Sequence, residues 1–288
     1  MAKTQIGIFV NKKKDKDLII TKRVIESIEK YGMDPLFADI GSSTSEMPMS
    51  YVGTYVMEHS DYVVSLGGDG TFLNTARAIY DYDIPVLGIN LGTVGFLAEV
   101  EINEIEKAIE RLSKGSFELK NRMVLSAAVE RNKDIVFESI ALNDVVVSRV
   151  GLSRIIRLRV SVDGQFIDSF PGDGVIVSTP TGSTAYTLSA GGPIVQPDMR
   201  LMITTPICPH ILYSRSFITS PDRELNLSVS DDYPDSATMT MDGQEGFNII
   251  AGDRITIKQA DKDIRFISIS DINFYDVLRA KIRTRSED

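Results

Sequence analysis

The sequence predicts a two-part architecture: an N-terminal Rossmann-like α/β domain, then an all-β, β-sandwich-like domain, with the chain end returning to the first. Three observations predict it. Up to about residue 116, short apolar runs alternate with helical stretches, as in a mostly parallel sheet layered with helices. From about Phe117 the runs become short, β-branched and divided by turn residues, as in antiparallel sheets. The last stretch, Phe274 to Ile282, goes back to helical spacing. The expected domains are residues 1–116 with 272–288, and residues 117–271.

Taken in order, Ile6–Val10 reads as the first strand. A charged stretch follows and ends in the helical run Val24–Tyr31, and Pro35–Ala38 is extended again. Gly41–Ser45 reads as a mobile loop. The strand Tyr62–Leu66, the helical run Phe72–Ala78 and the strand Val86–Ile89 repeat the theme. Ile105, Ala108, Ile109 and Leu112 fall at i, i+3, i+4 and i+7, which gives that helix one buried face, and Gly115 stops it. The second part contributes Val124–Val129, Val145–Val147, Ile155–Val162, Val175–Ser178, Leu225–Val229, Ile255–Ile257 and Ile264–Ile269. Asp163-Gly164 and Asp242-Gly243 are its clearest turns.

Composition narrows the class of function. The chain has 288 residues, 43% of them hydrophobic and 25% charged, ordinary values for a soluble globular protein with well-filled cores. A net charge of −9 argues against general affinity for nucleic acid or anionic lipid. No apolar run approaches the ~20 residues that span a bilayer. The N-terminal apolar run precedes Lys12-Lys13-Lys14 instead of following it, unlike a secretory signal. Cys208 is the only cysteine, which excludes an intrachain disulfide and fits a reducing cytoplasm.

The segment that carries most chemistry is Gly67-Gly68-Asp69-Gly70-Thr71, between a strand and a helix. Glycines let backbone N–H groups approach an oxyanion, and the helix N-terminus favours negative charge there. A carboxylate among them suits a cation-bridged phosphate or the acceptance of a proton from a hydroxyl nucleophile. The bland alternative is a tight turn in which Asp69 caps the helix.

A second segment, Pro171 to Tyr186, places a glycine-flanked Asp173 before a strand. The strand then delivers a cluster of hydroxyls and a Tyr into a turn governed by Pro and Gly. Such groups suit a purine edge and ribose hydroxyls, whereas a Ser/Thr-rich loop capping a helix that starts near Ala185 is the bland reading. Asn143-Asp144, before a strand, can hold an adenine edge and a ribose diol or simply end the strand. Phe96, in the Gly92–Leu97 run, reads as core or as a stacking face. His59 and His210 share no metal-ligand spacing and read as structural, so no protein-built metal site is expected.

Gly67–Thr71, Gly88–Leu97, Asn143-Asp144, Gly172–Tyr186, Thr205–His210 and Asp242-Gly243-Gln244 occur in the order found in NAD kinases, and over nearly its whole length the chain resembles that family. The resemblance implies transfer of the γ-phosphoryl group of ATP, or of polyphosphate, to the 2′-hydroxyl of the adenosine ribose of NAD, giving NADP. It implies Asp69 as the catalytic carboxylate, with Gly67, Gly68, Gly70 and Thr71 at the phosphates. Leu73, Phe96, Asn143, Asp144, Asp173, Thr181, Thr184, Ala185, Tyr186 and Gln244 are the implied NAD contacts. Asn-Glu is common in the family where this chain has Asn143-Asp144, one methylene shorter. Mg²⁺ or another divalent cation with ATP, and a homodimer or homotetramer, are implied as well. A lipid kinase of the diacylglycerol or sphingosine type shares the first motif, but this acidic chain lacks a polybasic or amphipathic anchor. A phosphofructokinase-like sugar kinase leaves the Ser178–Tyr186 segment unexplained. A non-catalytic NAD-sensing module leaves Asp69 unexplained.

Overall fold

Residues 3–38, 49–92, 95–151, 155–230, 237–270 and 273–284 are described by a computed structural model; the Gly41–Ser45 loop falls outside them. The chain divides into two compact units, Met1–Asn121 with Ile264–Asp288, and Arg122–Asp263.

Unit 1 begins with β1 (Gln5–Val10), α1 (Ile19–Lys30), β2 (Asp34–Ala38), α2 (Met49–His59), β3 (Tyr62–Gly67) and α3 (Asp69–Ile79). It continues with β4 (Val86–Asn90), β5 (Val100–Glu101), α4 (Ile105–Ser113) and β6 (Glu118–Arg122). Its sheet runs β2-β1-β3-β4, then a strand from the far end of the chain, Ile264–Ser268, then β6, with β5 on β4. The pairs β1–β2, β1–β3 and β3–β4 are parallel. Parallel strands buried on both faces read as continuous apolar runs, and β3 and β4 are buried almost throughout.

One face packs on α1 and α4. Ile6, Ile8, Val64, Leu66, Leu87 and Ile89 join Val24 and Ile28 of α1 with the expected four residues of α4. Full burial of each large aliphatic side chain is worth ~1.5–3 kcal/mol, so this stripe holds α4 far more firmly than its intrinsic propensity does. The helix stops at Ser113, and Gly115 follows at φ 65°.

Unit 2 is built from β7 (Leu125–Arg131), β8 (Asp134–Ala141), β9 (Asp144–Arg149), β10 (Ile156–Val162), β11 (Gln165–Gly172) and β12 (Gly174–Ser178). After the short α5 (Tyr186–Ser189) come β13 (Met202–Ile207), β14 (Phe217–Thr219), β15 (Leu225–Val229), β16 (Ala237–Met241), β17 (Glu245–Ile249) and β18 (Arg254–Gln259). They form two six-stranded sheets, β11-β10-β15-β18-β7-β8 and β14-β13-β12-β9-β16-β17. One apolar core takes Leu158, Val160, Leu227 and Ile257 from the first and Val145, Val147, Val175, Val177 and Met239 from the second, which makes a sandwich. The turns Asp163-Gly164 and Asp242-Gly243 have positive φ at both residues, the twist that two-residue hairpins require.

The run Ile264–Ile269 departs from the expected division. Its strand, β19 (Ile264–Ser268), belongs to unit 1, where Phe266 pairs with Val86 and packs against Phe72 at 4.6 Å between ring centroids. An apolar β-branched run carries no mark of which sheet will accept it. The final helix, α6 (Phe274–Thr284), is in unit 1 as well. Among the described residues no helix is long and apolar enough to cross a membrane.

Candidate functional site

The predicted site residues fall into two sets, one in each unit. In unit 1, β3 ends at Gly67, Gly68 is the N-cap residue of α3, and Asp69 is the first residue of that helix. Asp69 is not the cap, because no side-chain hydrogen bond caps α3. Its carboxylate turns instead to the loop after β4. Phe96 N donates to Oδ2 at 3.0 Å, and Leu97 N and Ala98 N donate to Oδ1 at 3.2 and 3.4 Å. Three backbone donors fix the direction of one half-buried carboxylate. Gly95 makes this approach feasible, since a Cβ there would overlap the Asp69 carboxylate.

Thr71 accepts a hydrogen bond at Oγ1 from Asn11 Nδ2 at 3.2 Å, and its carbonyl accepts one from Thr75 Oγ1 at 2.9 Å. Gly70 is exposed, whereas Leu73 is buried among the core side chains of α3. Phe96 is half-buried. Its ring lies 6.2 Å from that of Phe274 and 5.7 Å from Lys281 Nζ, so α6 backs it.

In unit 2, Asp144 begins β9 with Asn143 just before it, and Asp144 pairs across to Ser178 at the end of β12. The Thr181–Thr184 turn folds back onto them. Thr179 N donates to Asn143 O at 2.9 Å, Thr179 Oγ1 donates to Leu142 O at 2.6 Å, and Gly182 N donates to Thr179 Oγ1 at 3.1 Å. Gly182 lies so close to the Asn143 backbone that a Cβ would overlap the Asn143 carbonyl. Segments far apart in sequence, with Thr179 and Leu142 separated by 37 positions, therefore share one polar cluster.

Its electrostatics are unusual. Asp144 is 5% exposed, and burial, with the nearby Asp242 charge as a second cause, pushes its carboxyl up to about 7. Ser178 Oγ and Thr181 Oγ1 are buried without a hydrogen-bond partner. Buried polar groups left in this state call for a partner, and a bound ligand is one that would supply it. Thr184 Oγ1 donates to Thr181 O at 3.4 Å, and Ala185 N donates to Gly182 O at 2.9 Å. Tyr186 is 45% exposed, its hydroxyl pKa raised chiefly by desolvation. Asp173 sits between β11 and β12 and pairs with Arg149 Nε at 2.6 Å. Gln244 is exposed in the β16–β17 turn, where its N–H donates to Met241 O at 3.0 Å.

Asp242 is the contributor that sequence reasoning missed. Its carboxylate accepts Leu142 N at 3.0 Å, Asn143 N at 2.7 Å and Asp144 N at 3.2 Å, holding the whole strand entry. In the sequence it reads as a turn residue and as part of the Asp242-Gly243-Gln244 segment of the resemblance, in which only Gln244 is given a role. Among the described residues, no group of three or more His, Cys, Asp or Glu side chains is arranged to hold a metal ion.

Residues 6–117 match the family model of the ATP-NAD kinase N-terminal domain, and residues 142–269 that of the ATP-NAD kinase C-terminal domain. The NAD kinase of Ruminiclostridium cellulolyticum is 43% identical over 284 residues, covering 99% of each chain. That of Acetivibrio thermocellus is 45% identical over 284 residues, covering 98% of each. Among solved structures, yeast NADH kinase complexed with NADH superposes with a TM-score of 0.85 at 22% identity, over 97% of this chain and 87% of that one. An NAD kinase from Archaeoglobus fulgidus in complex with ATP gives a TM-score of 0.74 at 24% identity, over 98% and 99%. Both share the fold. With both family models matched and relatives aligned from end to end, the chain belongs to the NAD kinase family and is an enzyme that phosphorylates NAD.

Proposed function

We propose that the γ-phosphoryl group of ATP passes to the 2′-hydroxyl of the adenosine ribose of NAD, with Asp69 as the carboxylate that receives the hydroxyl proton. The supporting observation is the hold on Asp69: three loop N–H groups aim it from a glycine turn at the carboxyl end of β3. Phosphoryl transfer asks a protein mainly for position and charge compensation. As the ribose oxygen bonds to the γ-phosphorus, its proton goes to Asp69, and the bond to the bridging oxygen breaks with its electron pair leaving on ADP. Gly67, Gly68, Gly70 and Thr71 offer the α3 N-terminus to the phosphates.

In unit 2, the proposed adenosine site comprises Asn143, Asp144, Thr181, Thr184, Ala185 and Tyr186, and the unpartnered hydroxyls and buried carboxyl support it. Asp173 toward the nicotinamide, and Leu73, Phe96 and Gln244 as further NAD contacts, belong to the same proposal. A divalent cation fits as a companion of the ATP phosphates, because Mg²⁺ commonly keeps its waters and takes few protein ligands. Asp69 carries the only carboxylate of the turn and would be the residue there to hold the ion, which would supply charge neutralisation to the donor phosphates.

The decisive test is Asp69→Asn, which keeps size and removes charge. With MgATP and NAD, and NADP read by an NADP-specific dehydrogenase, kcat is expected to fall at least ~10²-fold, on the scale of general-base loss. Turnover at the wild-type rate would remove Asp69 from the mechanism. We also propose a homo-oligomer, dimer or tetramer, in the cytoplasm. The exposed Leu212, Tyr213 and Ile218 support assembly, the single cysteine supports a reducing compartment, and light scattering of the purified protein measures the assembly.

A further inference from the structure

Strand order in unit 1 reverses between β1 and β3, since β2 lies on the far side of β1 and β4 on the far side of β3. The loops leaving the carboxyl ends of these two strands are therefore neighbours, in the crevice where open parallel sheets present ligands. One is the glycine turn. The other carries Lys12, Lys13 and Lys14.

Hydrogen bonds clamp the two together. Asn11 N donates to Leu66 O at 2.9 Å, Asn11 Nδ2 reaches Thr71 Oγ1, and Lys14 N donates to Asn11 O at 2.9 Å. Asp15, 4% exposed, anchors the loop from below by accepting Ile20 N at 3.0 Å, Thr21 N at 2.8 Å and Thr21 Oγ1 at 2.6 Å. Asp17 and Leu18 have φ of 60° and 54°, a conformation that non-glycine residues adopt at a cost and that tends to gather at functional sites. These contacts set the shape of the loop beside the turn.

That shape brings Lys14 over the turn: a methyl group on Gly68 would lie 2.8 Å from Lys14 Nζ. Lys14 makes no ion pair or hydrogen bond through its ammonium among the described residues, and Asp69 is engaged by the 96–98 amides. A cation beside the positive end of a helix is electrostatically unfavourable by itself. An anion placed between them reverses the sign of both interactions.

We propose that Lys14 binds the terminal phosphates of the donor nucleotide at the Gly67–Thr71 turn. The proposal rests on reading that turn as the donor site. Lysine suits this task as a point charge on a flexible stem, able to follow the γ-phosphoryl group as negative charge shifts during transfer.

The test uses the full chain with MgATP and NAD. Lys14→Ala is expected to raise KM for MgATP about tenfold or more, the size of one charge-assisted contact, and to lower kcat. KM for NAD should stay within about twofold, Lys14→Arg should recover most of the loss, and the exposed neighbour variant Lys13→Ala should keep the wild-type constants. Unchanged KM for MgATP and kcat in Lys14→Ala would overturn the proposal. So would equal rises in KM for NAD and MgATP without rescue by arginine, since that pattern belongs to a loop distortion. Asp69→Asn in the same assay separates the two levels. If it loses turnover while Lys14→Ala does not, only the assignment of Lys14 fails; if it turns over normally, the reading of the turn fails.

Discussion

Gly95 and Asp144 show how single residues set local geometry and charge. A methyl group at Gly95 would occupy the space of the Asp69 carboxylate, so Gly95→Ala must displace the carboxylate or the loop that holds it. The expected result is a loss of kcat of the same order as in Asp69→Asn, with a modest fall in Tm, measured by the NADP-coupled assay and thermal unfolding. Asp144 has a different signature. Its carboxyl is raised from the ordinary value of 3.8 to about 7, so between those values the folded chain holds a proton that the unfolded chain releases. Stability therefore falls as pH rises through this window and is level above it, by ~4 kcal/mol at the upper end at 1.36 kcal/mol per pKa unit. Asp144→Asn should unfold at higher urea than the parent at pH 8 and at nearly equal urea at pH 4. An equal offset at both values would contradict the burial effect.

At the scale of elements, the hairpin β16–β17 acts as a clamp on β9. The Asp242 carboxylate takes three consecutive amides, from Leu142 to Asp144, and Asp242 N donates back to Asp144 O at 2.9 Å. Removing the acceptor leaves amides unpaired at the entry of a buried strand, which costs ~1–3 kcal/mol for each group that water cannot reach. Asp242→Ala is expected to destabilise unit 2 by that order and to raise KM for NAD more than KM for MgATP. Urea unfolding and the two KM values check it. Asp242→Asn, which keeps an acceptor oxygen and removes the repulsion on Asp144, should lose less.

On the scale of the whole molecule, unit 1 is discontinuous: β19 stands between β4 and β6, and α6 follows it. A chain ended at Asp263 lacks an inner strand of the first sheet and leaves the two sheets of the sandwich whole. Such a chain is expected to keep hydrogen-exchange protection in β7 to β18 and to lose it in β1 to β6, with no NADP formed.

The repeating apolar runs of β1, β3 and β4 and the spacing of Ile105, Ala108, Ile109 and Leu112 were legible because periodicity is a local property. The glycine turn with Asp69 was legible for a similar reason, since its residue types are rare at a strand-to-helix junction. β8 was not, because the run Asp134 to Ala141 is largely exposed and mixes polar with apolar residues, so its membership comes from its neighbour β7. The sheet that accepts Ile264–Ser268, the three amides on Asp69, the role of Asp242 and the position of Lys14 over Gly68 all join residues far apart in sequence. From sequence alone, then, the two architectures and most of their strands were determined, because these depend on residue type and spacing. Tertiary structure decided which carboxylate is aimed by backbone amides, which is buried and raised to about 7, and which lysine meets the glycine turn, because direction, desolvation and proximity exist only once distant segments pack.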